Sequence, residues 1–110
     1  MIGDGIMNIA IRGHHLAITP AIEEKITAQF AKMTKHFDDV CSMQVKLEKV
    51  HRLTTRSHKG QDNHRAEVIL RLPGKELFAH AAADDMYQAI TLLSEKLRHQ
   101  LERYRTKKVA

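Results

Sequence analysis

The chain has 110 residues, with 18 Lys and Arg against 13 Asp and Glu, a formal net charge of +5 and a sequence pI near 9.6. A chain of this length buries only about two-thirds of the surface it exposes when unfolded, enough for one core, and its basic balance points to nucleic acid or an anionic membrane surface. The single Cys41 excludes an internal disulfide and suits a reducing cytosol; no apolar run approaches the roughly 20 residues that span a bilayer, and residues 1–6 lack the basic start and apolar middle of a signal peptide, so a cytoplasmic protein is expected.

Residues 1–6 precede the first regular pattern and are expected to be an added or early-start extension, leaving 7–108 as a single domain. Ile9 and Ile11 alternate with Asn8, Ala10 and Arg12, which predicts a short strand ended by Gly13-His14-His15. Thr19 suits a helix N-cap, Pro20 the first helical position, and Glu23 and Glu24 the positive end of the dipole. The helix is predicted over 20–37. Ile22, Ile26, Phe30, Met33 and Phe37 form its buried stripe and Lys25, Lys32, Lys35 and His36 lie outside it, with Asp38-Asp39 closing the element.

Met43, Val45 and Leu47 alternate with Gln44, Lys46 and Glu48, predicting a second strand, after which 52–63 loses all periodicity and reads as a loop. Ala66, Val68, Leu70 and Leu72 resume the two-residue period, Pro73-Gly74 supplies a turn, and Leu77, Ala79 and Ala81 continue as the other arm of a hairpin. Asp84 or Asp85 is expected to cap a last helix. Its apolar stripe is Met86, Ile90, Leu93, Leu97, Leu101 and Tyr104, and it would extend about 30 Å if helical through Arg105.

The order strand, helix, three strands, helix implies an α+β fold. Each helix has one apolar stripe, which is satisfied if both lie on one face of the sheet. The first crossover favours a parallel, right-handed pairing and the later connections antiparallel ones, so a mixed four-stranded sheet is expected. The other face would show Lys46, Glu48, Arg71 and His80 together with Ile69 and Phe78, leaving it open to a partner.

The cations concentrate on the last helix. Lys96, Arg103 and Lys107 fall along one flank and Arg98 and Arg105 along the other, with Glu95, His99 and Glu102 between them; Lys108 adds to the terminal excess. Two such flanks can touch two phosphate backbones, and Lys25, Lys32 and Lys35 border the same groove if the helices pack side by side. His51, Arg52, Arg56, His58, Lys59, His64 and Arg65 are read as a basic loop, since the imidazole spacing lacks the tight pairs and thiolates of structural zinc sites, and no metal is assigned. No phosphate-cradling Gly-rich loop or nucleophile elbow occurs, and the adjacent carboxylates Asp38-Asp39 and Asp84-Asp85 suit helix ends, so no catalysis is expected. Tyr87 and Tyr104 have the chemistry to stack on bases, but their positions favour packing.

Ile11-Arg12-Gly13, Ile18-Thr19-Pro20-Ala21-Ile22, Phe30-Ala31-Lys32-Met33 and His36-Phe37-Asp38 resemble the opening of ribosome hibernation promoting factors. Gly74-Lys75-Glu76-Leu77, Ala79-His80-Ala81, Asp85-Met86-Tyr87-Gln88-Ala89-Ile90, Glu95-Lys96-Leu97 and Gln100-Leu101 resemble that family's hairpin and final helix in order and spacing. The likeness covers nearly all of 7–108. It implies a fold similar to double-stranded RNA-binding domains and occupation of the small-subunit channel used by messenger and transfer RNAs, silencing ribosomes in stress or stationary phase.

Matching positions carry RNA contact to Lys32, Lys96, Arg103 and Arg105; Lys25, Lys35, Arg98, Lys107 and Lys108 rest on charge geometry. Gln29 and His99 stand where the family commonly has a basic residue, and loop 52–63 is longer than in the shortest relatives. The implied partners are the small ribosomal subunit and its rRNA, with ribosome modulation factor acting on the same ribosome; no cofactor, membrane or small-molecule substrate is implied. The chain resembles the short form, which favours paired inactive ribosomes, where protein Y holds single ones idle. The alternatives are a general double-stranded RNA-binding module and a protein-interaction adaptor using the open sheet face.

Overall fold

The computed structural model describes residues 8–35, 40–50 and 64–109. They form β1 (Asn8–His14), α1 (Pro20–Thr34), β2 (Ser42–Lys49), β3 (His64–Leu72), β4 (Lys75–Ala83) and α2 (Met86–Val109). The strands lie in the order β1-β2-β3-β4, with β1 parallel to β2 and the other pairs antiparallel, the mixed sheet anticipated from the connection lengths.

Both helices begin as their first residues dictate. The Ile22 amide donates to Thr19 Oγ1 at 3.2 Å, with Pro20 at the position whose amide needs no partner. The Gln88 amide donates to Asp85 Oδ1 at 3.0 Å while the Asp85 carbonyl accepts the first helical bond from Ala89 at 3.1 Å, so Asp85 is the cap. Asp85→Ala is expected to lower stability by about 1 kcal/mol, seen as a lower urea midpoint at unchanged slope; an unshifted midpoint would show that the cap contributes nothing.

Helix α1 ends at Thr34 with Lys35 as its C-cap, three residues before the sequence period suggested, and Phe37 and Asp38-Asp39 lie outside the described residues. Loop 52–63 lies outside them as well, whereas His64 and Arg65, assigned to a basic loop, open β3. Helix α2 runs past Arg105 to Val109.

The two-residue period of the strands separates two faces. Met43, Val45 and Leu47 register against Leu70, Val68 and Ala66, and these against Leu77, Ala79 and Ala81, all buried under the helices. Ile22, Ile26, Phe30 and Met33 of α1 and Met86, Ile90, Leu93, Leu97 and Leu101 of α2 close the same core. Pro73 and Gly74 join β3 to β4 in two residues; Gly74 takes φ 73°, which the third position of a type II turn requires and a side chain resists. At the end of β1 a Cβ on Gly13 would run into the Leu16 carbonyl oxygen, and His15 adopts φ 61°, so this histidine pair belongs to a tight turn.

Candidate nucleic-acid interface

Strand direction decides how the cations meet. Since β1 and β2 are parallel, α1 must run back between them; two antiparallel pairings then make β4 run with β2. Helix α2 folds back along β4: Lys96 Nζ donates to the His80 carbonyl at 3.0 Å and Gln100 Nε2 to the Phe78 carbonyl at 2.7 Å, later helix residues meeting earlier strand residues. The two helices therefore run the same way, side by side, with Gln29 Nε2 donating to Ser94 Oγ at 3.1 Å across their seam. Beyond that contact α1 continues only to Thr34 and α2 to Val109, so α2 projects roughly 15 Å past its neighbour. Arg103, Arg105, Lys107 and Lys108 lie on this projecting end.

A groove of about 460 Å³ follows the seam, and Lys32, Arg98 and Arg105 stand on its walls. Glu95 and Glu102 line it too, from the side of the strip between the two cationic flanks that borders the arginines. Positions 95, 98, 102 and 105 form one stripe at steps of three and four, so the acids share the arginines' side. Arg98 Nη1 lies 3.5 Å from Glu102 Oε2, a half-exposed i,i+4 pair that moderates its charge. Lys25 is half-buried one turn before Gln29, and Lys35 is exposed at the C-cap; neither lines the groove.

Lys96 and Arg103 share the other flank of α2, where Lys96 lies over the edge of β4. There Lys96 and Gln100 occupy outward carbonyls of an edge strand that would otherwise be available for pairing, so Lys96 has a structural task beside any electrostatic one. Gln29, where a basic residue was anticipated, ties the helices together through Ser94. Sequence reasoning missed this bond, although Ser94 interrupting the apolar side of α2 was its trace.

Tyr104 packs against the core as expected. Tyr87 does not: it is 45% exposed. It sits one turn before Thr91 on the stripe that faces the groove, off the side of the first turn, carried by Met86 and Ala89, that is buried.

The charge excess belongs to the helices. With the Lys35 C-cap they carry Lys25, Lys32, Lys35, Lys96, Arg98, Arg103, Arg105, Lys107 and Lys108 against Glu23, Glu24, Glu95 and Glu102, an excess of five. The open sheet face carries Arg12, Lys46, Arg65 and Arg71 against Glu48, Glu67 and Glu76, an excess of one. Among the described residues no group of three or more His, Cys, Asp or Glu is placed to hold a metal ion, and no helix is long and apolar enough to cross a membrane.

A family model described as sigma 54 modulation protein / S30EA ribosomal protein matches residues 9–109. The chain belongs to this family. The ribosome hibernation promoting factor of Acinetobacter guillouiae is 65% identical over 99 residues, covering 90% of this chain and 88% of that one. That of Escherichia coli K12 is 36% identical over 101 residues, covering 92% and 96%. Among solved structures, a ribosomal subunit interface protein from Coxiella burnetii superposes with a TM-score of 0.75 at 24% identity, over 91% of this chain and 99% of that one. The N-terminal domain of Thermus thermophilus Protein Y gives a TM-score of 0.71 at 26% identity, over 89% and 99%. The β-α-β-β-β-α fold of this family member is thus shared with these two solved structures.

Proposed function

We propose that the protein is a ribosome-associated translation inhibitor that acts by occlusion, its helical layer held against small-subunit rRNA in the channel for messenger and transfer RNAs. The observation that carries this reading is the concentration of positive charge on one layer of a family member: Lys32, Arg98 and Arg105 at the seam, Lys96 and Arg103 on the outer flank, and an α2 end that extends past α1. Such a surface fits a groove between two phosphate backbones and asks for no base reading. In this role the domain over 7–108 favours inactive, paired ribosomes under stress, with ribosome modulation factor acting on the same ribosome. Lys25, Lys35, Lys107 and Lys108 complete the contact.

Cosedimentation with purified small subunits, in competition with transfer RNA, tests the reading. If Lys32, Lys96, Arg98, Arg103 and Arg105 each neutralise one phosphate, log affinity should fall against log salt with a slope of about −3.5 to −4.5. A slope shallower than about −1 would remove phosphate contact as the source of binding. Equal affinity for a plain RNA duplex, undisturbed by transfer RNA, would favour a general duplex-binding module instead.

A further inference from the structure

The face of the sheet turned away from the helices carries a pattern of shape and charge that fits a copy of itself. Register places Ala10, Gln44, Ile69 and Phe78 in one row across the four strands, with Ile69 36% and Phe78 50% exposed. The adjoining row is Arg12, Lys46, Glu67 and His80, and the next is His14, Glu48, Arg65 and Ala82. A hollow of about 250 Å³ opens over β1 to β3, with Ala10, Arg12, Gln44 and Ile69 on its walls. An aromatic knob on β4 thus stands in the same row as a hollow on β1.

We propose that this face is the contact of a weak homodimer, in which a second copy packs sheet to sheet about a two-fold axis parallel to the strands. That axis lays β1 over β4 and β2 over β3 of the second copy and keeps each row over the same row. Phe78 of each copy then enters the hollow over Ala10 of the other. Lys46 meets Glu67, and Glu48 meets Arg65, twice each. A two-fold axis across the strands would set Arg65 over Arg71 and Phe78 over His80, so the charge pattern selects the first arrangement. Aligned sheets stacked about 10 Å apart are ordinary packing.

Polyphosphate is a poor occupant of this face. Its charges alternate across strands, Lys46 beside Glu67, Glu48 beside Arg65, and Arg71 bonded to Glu76 at 3.1 Å, so there is little excess to attract an anion. An apolar row bordered by balanced charge has the composition of a protein contact. Four strands about 4.8 Å apart, each about seven residues long at about 3.3 Å, give a flat area of roughly 400 to 450 Å² per copy. With side-chain relief the total is on the order of 1,000 Å², the low end of specific interfaces, consistent with micromolar association. The helical layers face outward in such a dimer, so the contact does not rest on the ribosomal reading.

Sedimentation equilibrium of the full chain from about 5 to about 500 µM should show a monomer–dimer equilibrium, and Phe78→Glu should remain monomeric throughout. Lys46→Glu and Glu67→Lys should each weaken association at least about tenfold, whereas a 1:1 mixture of the two should dimerise again, because in the mixed pair every altered position meets an opposite charge. Circular dichroism checks that each variant is folded; the mixture also controls for changes within the sheet, which mixing cannot repair. A wild-type chain monomeric at about 500 µM, a dimer indifferent to Phe78→Glu, or a mixture no better than its components would overturn the proposal. So would an NMR shift of the Phe78 ring caused by a single-stranded oligonucleotide rather than by protein concentration.

Discussion

A chain carrying both Lys96→Glu and Arg103→Glu is expected to lose retention on small ribosomal subunits, with affinity reduced by two to three orders of magnitude at about 100 mM salt. Each reversal removes one phosphate attraction and introduces one repulsion, each worth about 1 kcal/mol or more at contact distance beside a partly screened backbone. Four such terms amount to roughly 4 kcal/mol, nearly three decades in affinity. The salt slope should become shallower by about 1.4 to 1.8 as two contacts disappear. Because Lys96 also holds the His80 carbonyl at 3.0 Å, the double reversal needs a partner variant that separates charge from support. Lys96→Gln keeps a donor and loses the charge; it should retain the melting temperature and still weaken ribosome binding about tenfold, one contact's worth. Unchanged ribosome affinity in the double reversal would show that this flank does not meet RNA. Affinity lost only in parallel with stability would make Lys96 a support for the sheet edge and nothing more.

Phe30→Ala should produce the largest loss of stability. Phe30 is completely buried, lies in the second half of α1 and belongs to the core that both helices and the sheet enclose. Removing the ring forfeits its transfer free energy and leaves a cavity that two helices and a sheet cannot close, a cost of about 3 to 5 kcal/mol. Domains of this size have a total stability of only about 5 to 15 kcal/mol, so the variant should melt roughly 15 to 25 °C lower. Urea denaturation should show the midpoint falling at constant slope. A loss below about 1 kcal/mol would mean that α1 is not seated on this residue.

Much of the architecture was legible because each element announces its own buried side. The steps of three and four through Ile22, Ile26, Phe30 and Met33, and through Met86, Ile90, Leu93, Leu97 and Leu101, mark the stripes found against the sheet. The alternation in Met43 to Leu47 and Ala66 to Leu72 marks the covered face. Thr19 and the pair Asp84-Asp85 mark the helix starts through the acceptor chemistry of their side chains, and the structure selects Asp85 of the pair. The resemblance in Asp85-Met86-Tyr87-Gln88-Ala89-Ile90 pointed to the family that the match over 9–109 establishes.

Periodicity failed where a side chain's surroundings came from another element. Counting sets Glu95 and Glu102 beside Arg98 and Arg105, but only α1 lying along that side of α2 made the four residues the wall of one groove. Tyr87 was left exposed because it lies off the side of the first turn, carried by Met86 and Ala89, that is buried. Nothing local to Lys96 shows that its ammonium reaches the backbone of β4.

By itself the amino-acid order determined the elements, their covered sides, the caps and the cationic character of α2, because each follows from the chemistry of residues within a turn or a strand of one another. Only the assembled chain decided which cations share a groove, which one secures a sheet edge, and how far α2 projects. Those outcomes depend on contacts such as Gln29 with Ser94, 65 positions apart. No local period constrains the lateral placement of one helix against another; the sheet order and the packing of both stripes into one core impose it.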